Sequence, residues 1–181
     1  CGLLGEKLGH SYSPALHALF GDYDYELFEV SPDRLGDFLR VRDFQGLNVT
    51  IPYKTTMLAI CDDLTETAAT IGSVNTVLKQ LDGSLLGDNT DAAGFEGMVW
   101  KSRIRILGRK CLVLGSGGAS LSAQYVLRKL GAGEVVVISR TGENNYDNLD
   151  RHQDAAVIVN ATPVGMYPNT AASPVDLRQF P

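Results

Sequence analysis

The fold of the second half of the chain is decided by the stretch Lys110-Cys111-Leu112-Val113-Leu114-Gly115-Ser116-Gly117-Gly118-Ala119-Ser120. Its apolar start predicts a strand, its glycines predict a turn, and the residues that follow predict a helix as far as Leu130. A second strand is expected over Glu134–Ser139, so the whole pattern has the size of a βαβ unit, about thirty residues. Glycines let the backbone approach a pyrophosphate, whose charge then lies at the helix N-terminus. We therefore predict a Rossmann-like nucleotide-binding unit.

The glycine pattern departs from the dinucleotide fingerprint at one position. Gly115 and Gly117 fit it, but Ser120 stands where the third glycine belongs. A tight structural turn without a ligand is therefore the alternative for this motif taken alone. The surrounding βαβ pattern favours nucleotide binding.

The end of the second strand indicates which dinucleotide binds. An NAD site has Asp or Glu there for the ribose 2′-hydroxyl, and that carboxylate would repel a 2′-phosphate. This chain instead has Ser139-Arg140-Thr141, whose guanidinium and hydroxyls suit a phosphate, so we predict NADP. Gly142-Glu143-Asn144 supplies no second cation, and a solvated strand-end arginine is the alternative for Arg140.

One lysine in the first half of the chain has an unusual position. It ends the stretch Leu47-Asn48-Val49-Thr50-Ile51-Pro52-Tyr53-Lys54. Leu47–Ile51 predicts a strand and Pro52 suits the first position of a helix, which puts Lys54 in the first helical turn. A cation there costs about 0.3–1 kcal/mol, because the helix dipole is positive at that end. A local rule broken without compensation indicates function. The alternative is a surface lysine whose stem reaches into solvent.

Three further segments carry polar groups at expected element ends. Ser13 has the N-cap position before Pro14, and with Ser11 it offers two hydroxyls that would form either a plain cap or a carboxylate receptor. Asn75 lies at the start of a strand. Asp91 falls in the first turn of a helix, where the dipole favours the ionised form, so a stabilising acid is the alternative to a functional one.

Composition narrows the class of ligand. The 181 residues are 44% hydrophobic and 20% charged, as in a soluble globular chain of one large or two small domains. A net charge of -5 disfavours nucleic acid and anionic membrane as partners, so we expect a small molecule. The spacing of Cys1, Cys61 and Cys111 fits neither a metal site nor a disulfide framework, which favours the cytoplasm. The sequence shows no signal-peptide pattern or membrane-spanning run, and Cys1 in place of methionine suggests trimming.

Strand-like and helix-like segments alternate before the basic break at Lys101-Ser102-Arg103. The predicted strands are Cys1–Gly5, Tyr23–Val30, Leu47–Ile51, Val74–Lys79 and Leu85–Asp88, the last two joined by a hairpin turn at Asp82-Gly83. The predicted helices are Pro14–Phe20, Pro32–Val41, Tyr53–Ile60, Leu64–Ile71 and Asp91–Trp100. This is an α/β layer domain.

A series of motifs in one order closely resembles the shikimate dehydrogenase family and covers essentially the whole chain. They are Gly-His-Ser-x-Ser-Pro (9–14), Asn-Val-Thr-Ile-Pro-x-Lys (48–54), Val-Asn-Thr (74–76), Asn-Thr-Asp-x-x-Gly-Phe (89–95), Val-Leu-Gly-x-Gly-Gly-Ala (113–119), Arg-Thr (140–141) and Asn-Ala-Thr-Pro-Val-Gly-Met (160–166). Spaced motifs in a fixed order are far more specific than any one of them. The resemblance implies reversible hydride transfer between NADPH and 3-dehydroshikimate, giving shikimate.

The resemblance also implies roles for individual residues. The substrate-site residues are Ser11, Ser13, Thr50, Lys54, Asn75 and Asp91. The serines would hold the carboxylate, and Lys54 and Asp91 match the catalytic pair, with Lys54 as general acid in reduction. The cofactor-site residues are Gly115, Ser116, Gly117, Gly118 and Ala119 at the diphosphate, Ser139, Arg140 and Thr141 at the adenosine phosphate, and Asn160, Ala161 and Thr162 at a nearby strand end. No metal is implied.

The domain organisation implied is a substrate-binding and catalytic domain over 1–100 and an NADP-binding Rossmann-like domain over 101–181. The family continues past the position of Pro181 with the second half of the sheet and a helix that brings a glutamine to the substrate. We therefore expect a truncated domain with its first three parallel strands, the third at Ala156–Asn160. In the order 3-2-1-4-5-6, the strand Cys111–Leu114 would then lack its fourth-strand neighbour.

Two alternatives stay open at this point. A related quinate/shikimate dehydrogenase using NAD would share the motifs and differ in its tolerance for an extra ring hydroxyl. A catalytically incomplete binding fragment would bind shikimate or NADP without turnover. Whether the chain forms a homodimer is left open.

Overall fold

The structure is a computed structural model that describes residues 1–9, 11–41 and 43–181. It contains two compact units, Cys1–Thr90 and Asp91–Pro181. The sequence predicts a boundary between residues 100 and 101, so the observed division lies ten residues earlier. Helix Asp91–Ser102 belongs to the second unit because it packs against helix Gly118–Lys129, with Phe95 and Val99 in the apolar cluster of that unit.

The first unit is built on a mixed sheet of six strands in the order β2-β1-β3-β5-β6-β4. The strands are β1 (Gly2–Gly5), β2 (Glu26–Glu29), β3 (Gly46–Val49), β4 (Asp63–Leu64), β5 (Thr76–Lys79) and β6 (Leu85–Asp88). The helices are α1 (Ser13–His17), α2 (Leu35–Val41) and α3 (Glu66–Ile71), with 3-10 helices at Pro32–Arg34 and Thr56–Ala59. β1 runs parallel to β2 and β3, whereas β5 is antiparallel to both β3 and β6. The predicted hairpin turn is confirmed, with Gly83 at a φ of 86° that only glycine adopts freely.

The core of this unit lies beneath the centre of the sheet. Leu4 of β1, Val49 of β3 and Leu85 of β6 pack with Met57 and Tyr53, and all are almost fully buried. Tyr53 also donates a hydrogen bond from its hydroxyl to the carbonyl of Val30. The segment that follows β3 is therefore fixed in two ways. Met57 and the Tyr53 ring pack in the core, and the Tyr53 hydroxyl makes a polar contact with the main chain.

The helix predicted over Tyr53–Ile60 is wrong. Residues 51–55 form consecutive turns, and only the 3-10 helix Thr56–Ala59 follows. The Lys54 carbonyl accepts a hydrogen bond from the Val74 N–H at 2.8 Å. In an α-helix this carbonyl would instead accept from an N–H four residues further along the chain. Lys54 therefore does not lie in the first turn of an α-helix, and the dipole cost assigned to it does not apply.

Thr65 caps α3 and also supports the neighbouring strand. Its Oγ1 accepts from the Ala68 N–H at 3.2 Å and donates to Oδ1 of Asp88 at 2.6 Å. We expect Thr65→Ala to lower the free energy of unfolding by about 0.5–2 kcal/mol, the usual cost of a lost N-cap. Thr65→Ser keeps both bonds and serves as the control. Equal urea midpoints for the alanine variant and the unaltered chain would contradict this role.

The second unit has three parallel strands in the order β8-β7-β9. They are β7 (Lys110–Leu114), β8 (Glu134–Ile138) and β9 (Val157–Asn160), and the helices are α4 (Asp91–Ser102) and α5 (Gly118–Lys129). Short 3-10 segments occupy Tyr146–His152 and Leu177–Gln179. The sheet is packed on both faces: Leu112 and Leu114 contact one apolar cluster, and Cys111 and Val113 contact the other, which includes residues of α4 and α5.

The order of these strands differs from the expected one. β9 pairs with β7 on the side opposite β8, so β7 does not lose a neighbour at the end of the chain. Cys111, Leu112, Val113 and Leu114 are all buried, which suits a central position, whereas β9 is only half-buried. The expectation that Cys111–Leu114 becomes an open edge is therefore wrong.

Within the described ranges, none of the helices combines the length and the apolar character needed to cross a membrane.

Candidate active site

Two of the expected substrate residues, Thr50 and Asn75, lie at one edge of the sheet of the first unit. Thr50 follows the carboxyl end of β3, and Asn75 precedes β5, which runs antiparallel to β3 with Asn48 opposite Thr76. Thr90 follows β6, whose Asp88 is opposite Thr76. Because antiparallel neighbours alternate in direction, these strand ends meet at the same edge. The sequence motifs that were distant along the chain are brought together there.

The serine pair lies where the loop after β1 enters α1, with Ser13 as the first helical residue. The Ser11 hydroxyl accepts from the Ser13 N–H at 3.2 Å, and the Ser11 and Ser13 hydroxyls are 3.1 Å apart; both residues are half-buried. The prediction that Ser13 is the N-cap of α1 is wrong. Tyr12 holds that position and makes no side-chain cap bond among the described residues, and the Ser11 hydroxyl accepts from the Ser13 N–H, the first amide of the helix. His10, which belongs to the same motif, lies outside the described residues.

Asn75 is 8% exposed and bonds with Thr90 in both directions. The Thr90 N–H donates to Asn75 Oδ1 at 2.8 Å, and Asn75 Nδ2 donates to Thr90 Oγ1 at 3.0 Å. The Asn75 main chain is also held, since its carbonyl accepts from the Val49 N–H at 2.7 Å. Asn75 thus fixes the residue that directly precedes Asp91. Sequence reasoning missed Thr90, although it stands inside the Asn-Thr-Asp motif.

The expected catalytic pair is divided between the two units. Lys54 is half-buried in the first unit, and its carbonyl joins the turn after β3 to the strand-start segment at Val74. Asp91 is half-buried and opens α4 in the second unit, where a carboxylate is favoured by the helix dipole.

The three expected cofactor segments follow the carboxyl ends of three adjacent parallel strands. Leu114 of β7 is in register with Ile138 of β8 and Asn160 of β9. The glycine segment 115–119, the segment 139–141 and the segment 160–162 therefore share one edge of the sheet. Ligands of open α/β sheets bind outside the carboxyl ends of the strands.

Two glycines shape the loop between β7 and α5. Gly115 has a φ of 104°, and a Cβ there would lie 2.9 Å from the Ala161 carbonyl oxygen, so a larger residue does not fit. Gly117 is the N-cap of α5, and a Cβ added there would meet nothing within 4 Å. The loop is therefore closed toward β9 and open at the helix N-terminus, which fits a phosphate group of a dinucleotide.

The segment after β8 presents a cation to solvent. Arg140 and Thr141 are exposed, and the Ser139 N–H donates to the Asn144 carbonyl at 3.1 Å, which closes the turn. In the described part of the chain, Arg140 makes no ion pair. Its guanidinium is therefore available to an anion.

The side chains after β9 are used to build their own turn. Asn160 Oδ1 accepts from the Thr162 hydroxyl at 2.7 Å, and Asn160 Nδ2 donates to the Val164 carbonyl at 2.9 Å. Ala161 is attached to the central strand through its N–H, which donates to the Leu114 carbonyl at 2.9 Å. These residues shape the wall beside Gly115.

Comparisons with known proteins agree with this arrangement. Residues 3–77 match the family described as shikimate dehydrogenase substrate binding domain. The shikimate dehydrogenase (NADP(+)) of Clostridium perfringens strain 13 is 37% identical over 190 residues, which cover 93% of this chain and 70% of that protein. The chain belongs to the shikimate dehydrogenase family. The family resemblance of the sequence motifs is thereby confirmed.

Solved structures of the family have the same fold. Shikimate dehydrogenase 1 from Peptoclostridium difficile matches with a TM-score of 0.91 at 34% identity, covering 99% of this chain and 74% of that one. The enzyme from Thermus thermophilus in complex with NADP(H) and shikimate matches with a TM-score of 0.85 at 37% identity, with coverages of 99% and 74%. The predicted combination of an α/β substrate domain with a Rossmann-like domain is confirmed.

Proposed function

We propose that this chain is an NADP-dependent shikimate dehydrogenase, which reversibly reduces 3-dehydroshikimate to shikimate in aromatic amino-acid biosynthesis. The observation that carries the proposal is the gathering of segments 115–119, 139–141 and 160–162 at one edge of a parallel sheet, in a chain of this family. Relatives named shikimate dehydrogenase (NADP(+)) support the cofactor.

We assign substrate binding to the N-terminal part of the chain, expected as 1–100, and NADP binding to the remainder. The half-buried hydroxyls of Ser11 and Ser13 suit a carboxylate, and Thr50 and Asn75 offer polar groups for the ring hydroxyls at the same sheet edge. The aligned relative in complex with NADP(H) and shikimate supports the pairing of these two ligands.

Lys54 acts as general acid when the ketone is reduced. NADPH, when bound, supplies the hydride to the carbonyl carbon, which leaves negative charge on the oxygen. Lys54 neutralises that charge by donating a proton, and in the reverse direction it accepts the proton of the substrate alcohol. Asp91 positions the lysine and accepts a hydrogen bond from a substrate hydroxyl. Both roles are proposals that rest on the family motifs.

On the cofactor side, Gly115, Ser116, Gly117, Gly118 and Ala119 would cradle the diphosphate. The open space beside Gly117 supports this assignment. Ser139, Arg140 and Thr141 would receive the adenosine phosphate. Asn160, Ala161 and Thr162 form the neighbouring wall.

The proposal is tested by following NADPH absorbance after adding shikimate and NADP to the chain. We expect shikimate-dependent NADPH formation that needs both reactants. Parallel assays with quinate and with NAD identify a quinate/shikimate dehydrogenase, and calorimetric binding without turnover would identify a binding protein instead. Absence of both turnover and binding would refute the proposal.

We expect Arg140→Ala to weaken NADPH far more than NADH, because only NADPH carries the 2′-phosphate. Losing a charge-assisted hydrogen bond of this kind corresponds to roughly tenfold or more in KM. Arg128→Ala is the matched control, since Arg128 lies in the last turn of α5, away from the glycine loop. Equal weakening of both cofactors would remove Arg140 from this role.

A cytoplasmic location belongs to the same proposal. The wide spacing of Cys1, Cys61 and Cys111 in the sequence fits neither a disulfide framework nor a metal site, and this supports a reducing compartment. Whether the enzyme is a homodimer is a question for light scattering.

A further inference from the structure

The turn that carries Arg140 is held by side chains from the segment that follows it. Asn148 Nδ2 donates to the Glu143 carbonyl at 2.8 Å, and Asn145 Nδ2 donates to the Gly142 carbonyl at 3.2 Å. His152 Nε2 lies 2.9 Å from Oδ1 of Asn144. Three consecutive residues of the turn, 142–144, are therefore each bonded to a side chain of residues 145–152.

His152 differs from the two asparagines because it is buried. It is 8% exposed, while Asn145 and Asn148 are half-buried. Since Asn144 Oδ1 is an acceptor, His152 Nε2 is the donor in this contact. In the residues that the structure describes, buried Nδ1 has no hydrogen-bond partner.

A buried ring nitrogen without a partner costs free energy that an apolar side chain would avoid. Leu149 and Ala155, which lie close to His152 in the sequence, belong to the apolar cluster that includes Leu112 and Leu114. A histidine at this position is therefore unfavourable on local grounds. The interaction that it contributes is the hydrogen bond from Nε2 to Asn144.

Asn144 is the residue through which this bond reaches the phosphate-binding turn. Its carbonyl accepts from the Ser139 N–H at 3.1 Å, at the point where β8 ends. The turn is also tight, since a Cβ on Gly142 would lie 2.6 Å from the Ser139 hydroxyl oxygen. The bond from His152 therefore restrains the residue that closes the turn on which Arg140 and Thr141 are carried.

We propose that His152 is a positioning residue for NADP selectivity, which acts through Asn144 to preorganise the turn that presents Arg140 and Thr141 to the 2′-phosphate. A turn already held in its binding geometry loses less conformational freedom when the phosphate binds. The inference rests on the proposed NADP site. It concerns cofactor choice and leaves the chemical step unaffected.

The test is calorimetric binding of NADP⁺ and NAD⁺ to the full chain, which needs no turnover. We expect His152→Phe to raise the Kd of NADP⁺ roughly three- to tenfold, the size of one lost hydrogen bond. The Kd of NAD⁺, which has no 2′-phosphate, should stay within about twofold. His152→Gln keeps an N–H donor and should restore much of the NADP⁺ affinity.

Val175→Ala is the matched structural control. Val175 lies in the apolar cluster of Leu149 and Ala155 but makes no bond to the turn, so its truncation should lower the melting temperature and leave the ratio of the two Kd values unchanged. Equal weakening of both dinucleotides by His152→Phe, or an unchanged NADP⁺ affinity, would overturn the inference. So would an unaltered chain that binds neither dinucleotide. NADP⁺ binding without shikimate oxidation would refute the proposed activity while leaving this test intact.

Discussion

Replacing Lys54 with alanine is expected to lower kcat for shikimate oxidation by about a hundredfold or more, the usual contribution of a positioned acid or base. The KM for shikimate should change much less. The amine matters mostly when charge develops on the substrate oxygen, so its removal costs transition-state stabilisation more than ground-state binding. Initial rates over a range of shikimate concentrations separate the two effects.

Lys79→Ala is the control for this variant. Lys79 ends β5 and Asn75 directly precedes the start of that strand, so Lys79 lies at the opposite edge of the same sheet. Its removal changes net charge by the same amount and should leave kcat near the value of the unaltered chain. A Lys54→Ala variant with near-normal kcat would return Lys54 to the surface-lysine alternative.

The βαβ pattern could be predicted from the sequence because its determinants are local. The apolar run of β7, the glycines at 115 and 117, and the helix-forming segment after them each act within a few residues, and each element was found where expected. The hairpin at Asp82-Gly83 is equally local, since the turn chemistry sets the pairing of the strands on either side.

The position of β9 could not be predicted because strand order is not local. The sequence predicts a strand over Ala156–Asn160, and the order 3-2-1 places it beside β8, whereas in the structure it pairs with β7. All four residues 111–114 are buried, which is consistent with a central strand that is paired on both sides. A strand order taken by analogy from complete doubly wound sheets led to the wrong neighbour.

The segment around Lys54 shows how a tertiary contact overrides local preference. Pro52 and the residues after it favour a helix start, yet the Lys54 carbonyl bonds the Val74 N–H and Tyr53 is buried beneath the sheet. A helix-dipole cost does not apply to Lys54, because the described residues 51–55 form consecutive turns and no α-helix begins at this point. Its functional assignment now depends on the family motif and on its place at the end of β3.

The hydrogen bonds between polar residues of the site could not be predicted from the sequence either. Asn75 and Thr90 lie fifteen residues apart and meet only because β5 and β6 form a hairpin. The motif identified Asn75 as a substrate contact without revealing that its amide is largely engaged with Thr90. The sequence thus predicts which residues gather at this edge better than it predicts what each one bonds.

Asp91→Asn is expected to lower kcat by roughly ten- to a hundredfold, because the proposed mechanism assigns the positioning of Lys54 to a carboxylate and the variant has a neutral amide. Loss of the charge at the start of α4 should cost only about 0.3–1 kcal/mol of stability, so the variant remains folded. Glu66→Gln makes the same charge change in the first turn of α3 and should leave kcat unaltered.

The decisive measurement is the kcat of a double variant that combines Asp91→Asn with Lys54→Ala. Lys54 and Asp91 belong to different compact units, so kinetic coupling is the direct evidence that they act as one catalytic group. Residues that act as a unit are strongly non-additive, and the double variant should therefore be about as slow as Lys54→Ala alone. If the two losses instead multiply, Asp91 contributes independently of Lys54, and the carboxylate must be assigned to substrate binding or to the helix start rather than to positioning the acid.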